Sequence, residues 1–148
     1  MSYAYDKVYL NKARIALGRM LDFAVYNLKY ELSEFFDMFI KSGVAKRFAQ
    51  GEVALLAGMS GEELAYEVLE KLGINMLRIK PNYVSTSSEE YWTGWAVAFY
   101  QWQNDLSFAD IVKHVPIQKI TKLFSAYREV DIRQFCDKMD SMYQLSGS

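Results

Sequence analysis

Between Asp6 and about Lys29, the residues Leu10, Ala13, Leu17, Met20, Leu21, Ala24 and Leu28 recur at three- and four-residue spacing. That period predicts a long helix with one apolar stripe, and it leaves Lys12, Arg14, Arg19 and Asp22 largely outside the stripe. Ser33 is placed to cap a second helix through Glu34, Phe35, Phe36, Met38, Phe39 and Ile40. Gly43 ends it, with Val44 set to touch Phe39 as in a Schellman ending. A short helical piece from Ala45 to Gln50 stops at Gly51, and the aperiodic apolar run VALLAGM after it reads as a buried turn. Ser60 and Glu63 have capping-box spacing in front of a helix from Gly61 to Leu72, closed by Gly73 with Ile74 against Leu69.

Residues 74 to 88, INMLRIKPNYVSTSS, hold Pro81 and a Ser/Thr cluster and break the helical period. They predict a connector between two helical halves, 1–73 and 89–145, with the connector's apolar residues lying against the core. Ser87 and Glu90 repeat the capping-box spacing before EEYWTGWAVAFYQWQND, which carries all three tryptophans. Helical steps of about 100° put Tyr91, Trp92, Trp95, Ala98, Phe99 and Trp102 on one arc of about 120°. That arc is expected to face the core, although such an aromatic cluster can also stack a ligand or meet a partner. Gly94 and Ala98, one turn apart, leave room for another helix to approach.

Further on, Ser107 can cap Phe108 to His114, Pro116 suits the first turn of a helix from Ile117 to about Tyr127, and Asp131 can cap Ile132 to about Leu145. Ile132, Phe135, Cys136, Met139 and Tyr143 form the apolar side of that last helix. Only Met76 to Ile79 hints at a period of two. The fold class is all-α, a compact single-domain bundle of about six to eight helices around a central aromatic-rich helix at about residues 89–104.

Composition agrees with one core: 148 residues, 51% of them hydrophobic. With 17 basic and 18 acidic residues and a net charge of −1, no global field advertises nucleic acid or a membrane. The lone Cys136 leaves no intramolecular disulfide to form. The segment MSYAYDKVYL lacks the basic and apolar regions of a signal peptide, and no apolar run is long enough to span a bilayer. A cytoplasmic location is the expectation.

Candidate chemistry is sparse. His114 and Asp110, one turn apart, offer two metal ligands from one helix face, but one His and one Cys fall short of a zinc set. Any Ser-His-Asp or Cys-His group would need the same His114. The pairs Glu62/Glu63 and Glu89/Glu90 sit at helix starts, where capping and the helix dipole already favour acids. Glycines 51, 58 and 61 form neither GxGxxG nor a phosphate loop. No catalytic, metal-ligating or cofactor-binding residue is therefore assigned, and no enzymatic activity is expected.

From Ile111 to Arg128 the chain carries Lys113, Lys119, Lys122 and Arg128 and no acid. Two helices parted at Val115-Pro116 match a helix-turn-helix loosely, with Pro116 to Phe124 as recognition helix and Gln118, Lys119, Thr121 and Lys122 facing DNA. The turn lacks the usual glycine, and Lys113 stands where an apolar residue normally packs. Five tyrosines outside the core arc, Tyr26, Tyr30, Tyr66, Tyr100 and Tyr127, are candidates for contact with a protein partner, because tyrosine is enriched at interfaces.

The segments LDFAVYNLKYELSEFFDMFIKSGVAKRF, GMSGEELAYEVL, SSEEYWTGWAVAFYQWQNDLSFADI, VPIQKI and YREVDIRQFCDKMD cover most of the chain. Together they resemble a family of small helical Firmicutes proteins, notably from gut Clostridia, whose most distinctive part is an EYWxGWxxAFYQW-like core. The chain departs from those relatives in residues 74 to 88 and carries lysines near the end where acids are common. The resemblance implies gene clusters that also encode ADP-ribosyltransferase-like proteins, an arrangement of the toxin–antitoxin kind. It implies no catalytic motif. The expected function is thus a non-enzymatic protein–protein interaction protein, an antitoxin or accessory subunit restraining such a partner. The alternatives are a DNA-binding regulator using residues 111–128 and an enzyme of unrecognised activity.

Overall fold

The computed structural model describes residues 2–81 and 85–146. Among these residues there are ten α-helices and no strand. In chain order they are α1 (Leu10–Tyr26), α2 (Leu32–Lys41), α3 (Val44–Ala49), α4 (Val53–Leu56), α5 (Gly61–Lys71), α6 (Glu89–Asn104), α7 (Phe108–His114), α8 (Ile117–Thr121), α9 (Phe124–Tyr127) and α10 (Ile132–Ser146). The all-α expectation holds. The larger number of helices comes from the VALLAGM segment, which forms the single turn α4, and from the expected Ile117–Tyr127 helix, which is broken in two. At that break the Leu123 N–H bonds the Ile120 carbonyl at 2.9 Å, an i to i−3 bond that tightens the turn.

The centre of the fold is the pair α1 and α6, with α5, α2 and α4 also packed on α1. Their approach is set by glycine. A Cβ at Gly94 would lie 2.6 Å from the Leu17 carbonyl oxygen and 2.8 Å from Gly18 Cα, and one at Gly18 would lie 2.7 Å from the Tyr91 carbonyl oxygen. The two backbones therefore touch where neither helix has a side chain. Gly61 does the same for α5, since a Cβ there would stand 2.6 Å from the Met20 nitrogen.

The same three helices share a buried polar network. Asp22 has no solvent exposure. Its carboxylate accepts from Arg19 Nη1 at 2.9 Å and from the Ser88 hydroxyl at 2.6 Å, and Arg19 Nε donates to Glu62. Ser88 Oγ also accepts from the Tyr91 N–H at 3.0 Å, so one hydroxyl caps α6 and bonds α1. Ser88, one residue later than the expected Ser87, is thus the N-cap. Ser87 instead bonds Ser85. Arg19 and Asp22 lie off the apolar stripe as expected, yet they are buried because α5 and α6 cover that side of α1 as well.

Several ends form as their residues dictate. Ser60 and Glu63 make the full capping box. Gly73 adopts φ 73°, and the Ile74 N–H reaches the Leu69 carbonyl at 2.9 Å, completing a Schellman ending. Ser107 caps α7, and Asp131 accepts from the Arg133 N–H at 2.9 Å at the start of α10. Two expectations are corrected at α2. Glu31 rather than Ser33 is its N-cap, because the Phe35 N–H already bonds the Glu31 carbonyl. Gly43 ends α2 at φ 85°, but the Val44 N–H turns to Ser42 Oγ and opens α3 at once.

One apolar cluster draws on both halves of the chain. Phe36, Phe39, Phe48 and Phe108 meet at ring distances of 5.3 to 6.2 Å and tie α2, α3 and α7 together. Trp92 packs edge-on against Phe124 and Phe135 and joins α6 to α9 and α10. The N-terminal residues close over the end of α6, where Tyr3 stacks on Trp102 and Trp102 Nε1 donates to the Tyr5 carbonyl. On α6, Trp92, Ala98 and Trp102 of the expected arc are buried, but Tyr91, Trp95 and Phe99 are only half-buried. Thr93, Ala96, Val97, Tyr100 and Gln101 are buried as well. A helix held between α1 and the C-terminal helices is covered nearly all round, so the wide rings sit at its seams.

Gly94→Ala should destabilise the protein by about 1–3 kcal/mol, seen as a lower urea midpoint at unchanged m-value. The direction is telling, because alanine is otherwise the better helix former by about 1 kcal/mol.

Burial lifts the Asp22 carboxyl above its ordinary value, more than the Ser88 hydrogen bond and Arg19 lower it. Its ionisation therefore opposes folding. The stabilising contribution of Asp22 is complete below the unfolded value of about 3.9 and declines as pH rises through the folded value. The stability difference between wild type and Asp22→Asn should shrink as denaturation curves are taken upward across that window.

Candidate interaction surface

After the Schellman ending at Gly73 the chain runs without regular structure to Pro81. Tyr66, buried on α5 edge-on to Phe23, holds it there. Its hydroxyl accepts from the Ile79 N–H at 2.8 Å, and the Arg78 guanidinium lies 4.7 Å from its ring centroid. With Arg78 folded onto α5, the apolar residues around it face water: Leu77 is 89% exposed, Ile79 44% and Met76 42%. The expectation that the connector's apolar residues rest on the core is thus overturned here. Ile74 packs against the core and Ser85 is buried, while Asn82, Tyr83 and Val84 lie outside the described residues. Single exposed apolar residues are ordinary, but three within four positions make a strip that water solvates poorly. The hint of period two at Met76 to Ile79 corresponds to no strand, since this segment has no regular structure and all four residues are exposed.

The five candidate tyrosines separate by burial. Tyr66 and Tyr100 belong to the core, which removes them from any contact surface. Tyr100 is buried because α10 lies over that face of α6, and its hydroxyl donates to Asp140 at 2.7 Å. Burial first, and then that carboxylate, raise its pKa. Tyr30 leans on Phe35 at 5.5 Å, and Tyr127 is half-buried against the core. Tyr26 is the exposed member, donating to Glu90 at 2.8 Å.

The basic stretch is divided in the same way. Lys113, Gln118, Lys119, Lys122 and Arg128 face solvent. Thr121 is turned inward, where its hydroxyl accepts from Thr93 on α6 at 3.1 Å and donates to the Ile117 carbonyl at 3.0 Å. A continuous recognition helix from Pro116 to Phe124 does not form. Instead α8 has five residues, with Ile117 and Ile120 buried, and is followed by a turn.

Other reactive side chains are engaged with neighbouring residues. Cys136 is buried and its thiol is pushed up to about 12, chiefly by burial. His114 stacks on Tyr143 at 4.0 Å, its Nδ1 lies 2.9 Å from the Asp110 carbonyl oxygen, and the Tyr143 hydroxyl donates to the Asp110 carboxylate. No group of three His, Cys, Asp or Glu placed to hold a metal occurs among the described residues. Arg14 is set between aromatic rings, 3.4 Å from the Trp95 centroid and 4.9 Å from that of Phe99, with its Nε donating to the Trp95 carbonyl at 3.1 Å. Burial pushes its guanidinium down to about 10, so it stays charged at neutral pH. Neither its position nor that of Asp22 was legible beforehand, since each depends on which second helix covers α1. No helix among the described residues is long and apolar enough to cross a membrane.

No protein family, curated protein or solved structure matches this chain.

Tyr100→Phe, which removes one buried hydroxyl bonded to a carboxylate, should cost about 1–2 kcal/mol in chemical denaturation. Tyr26→Phe, at an exposed site, should stay within about 0.5 kcal/mol of wild type.

Proposed function

We propose that this chain is a non-enzymatic interaction protein, an antitoxin or accessory subunit that restrains a protein partner by shape and apolar contact. The partner implied by the sequence resemblance is an ADP-ribosyltransferase-like protein. What supports the reading is the strip Met76, Leu77 and Ile79. It is the apolar surface that the fold holds in place from below, through Tyr66, and leaves open from above. Arg78 and Lys80 on the same segment add positive charge, so an acidic rim on the partner would complement it. The hydrogen bond to Tyr66 at one point and the Gly73 ending at the other limit the ordering cost of binding.

The test is affinity purification of the tagged chain from its native host with neighbouring genes intact, in parallel with Leu77→Asp. One protein should co-purify in stoichiometric yield with the wild type and be lost with Leu77→Asp, while the thermal midpoints of the two chains agree. Recovery of the wild-type chain alone would remove this reading, as would a complex indifferent to Leu77→Asp.

A further inference from the structure

Each of residues 75–80 is exposed, and among the described residues their backbone groups make one hydrogen bond, from the Ile79 N–H to the Tyr66 hydroxyl. The remaining groups are left to solvent. Whatever covers Leu77 and Ile79 takes that solvent away. A surface of apolar side chains alone would leave the donors and acceptors without partners, which offsets the gain from apolar contact. The occupant must therefore offer donors and acceptors at peptide spacing. A helix does not, because its backbone is bonded to itself, whereas the open edge of a β-sheet presents a row of unpaired N–H and C=O groups.

Pattern and charge narrow the occupant further. Leu77 and Ile79 stand two residues apart, the period of a strand, and the six residues between the core-packed Ile74 and Pro81 match the usual strand length. Pro81 has no N–H and ends such pairing. None of the described residues forms a strand, so the segment has no strand among them to pair with. Between residues 71 and 88 the charges are Lys71, Arg78 and Lys80, with no acid, so the edge that suits the segment carries acidic side chains. Two copies pairing with each other would instead bring Arg78 and Lys80 of both into one ribbon with no acid to offset them.

From these observations we propose that residues 75–80 join the open, acidic edge of a β-sheet in a protein partner as an added strand, with the peptide groups of Met76, Arg78 and Lys80 bonded across the edge. The proposal rests on the partner-binding reading of the same segment. Ile79 sets the register. Its N–H is turned inward to Tyr66, and in an extended chain neighbouring residues present their peptide groups to opposite edges.

The test is amide hydrogen exchange, read residue by residue by NMR on the full chain, free and bound to the protein that co-purifies with it. On binding, the amides of Met76, Arg78 and Lys80 should slow by at least about tenfold, and those of Asn75 and Leu77, on the other edge, by much less. Met76→Pro removes one of the bonded N–H groups and should weaken the complex roughly tenfold. Met76→Val keeps that group and should bind as wild type, with both variants melting at the wild-type temperature. Uniform slowing along the segment, no slowing, or equal binding by the two variants overturns the added strand. The partner-binding reading survives each of these results as long as Leu77→Asp breaks the complex. A homodimer with the same protected amides overturns the choice of partner, and absence of any complex overturns both readings.

Discussion

Backbone contact between α1 and α6 at Gly18 and Gly94 is the constraint on which the rest of this structure depends. With the Leu17 carbonyl and Gly18 Cα occupying the space where a Gly94 Cβ would stand, no other residue fits without moving a helix. That closeness brings Ser88 within hydrogen-bonding distance of Asp22, and so lets one hydroxyl cap α6 and satisfy a buried carboxylate. Arg19 then links the same carboxylate to Glu62 on α5. Buried ionic groups are weak sources of net stability, but removing one partner from such a set is expensive, which makes the set a device for fixing register. Glycine determines how near the helices come, and the network determines where along their length they stop.

The distribution of aromatic residues follows from that approach. Where α1 and α6 touch, only the Tyr91 ring lies against Gly18, and Trp95 and Phe99 stand at the seam and enclose Arg14. Many of the large buried rings belong instead to α2, α3 and α7, where Phe36, Phe39, Phe48 and Phe108 pack together, and to the junction of Trp92 with Phe135, while Phe23 on α1 is buried against Tyr66. A chain with 16% aromatic residues thus has two aromatic clusters beside a glycine-lined helix contact.

Many of the polar side chains within the fold are bonded to one another. Asp22, Arg19, Tyr100, Thr121, His114 and Tyr143 all bond to other parts of the fold, and Cys136 is held as a buried thiol. The connector from Ile74 to Pro81 is different. It is anchored by a buried tyrosine yet turns Leu77 outward.

Local rules settled much of this fold directly from the residues. The stripe on α1, the Ser60–Glu63 box, the Gly73 ending, the Ser107 and Asp131 caps and the small residues at Gly94 and Ala98 each depend on neighbours within a turn or two, and each is present. What failed to be legible was which residues a distant helix would cover. Tyr66 and Tyr100 looked available until α1, the connector and α10 closed on them, and Asp22 and Arg19 looked solvated until α5 and α6 covered the far side of α1. The connector's apolar residues looked buried until Arg78 took the place on Tyr66. Periodicity and capping are properties of the chain over a few residues, so the sequence by itself determined where most of the helices form and some of their ends. Helix α1 is shorter at both ends than the expected span of residues 6–29, and α4 and the α8–α9 break were not legible. Burial is a property of two surfaces meeting, so only the tertiary structure decided which polar groups are interior and which apolar ones are left exposed.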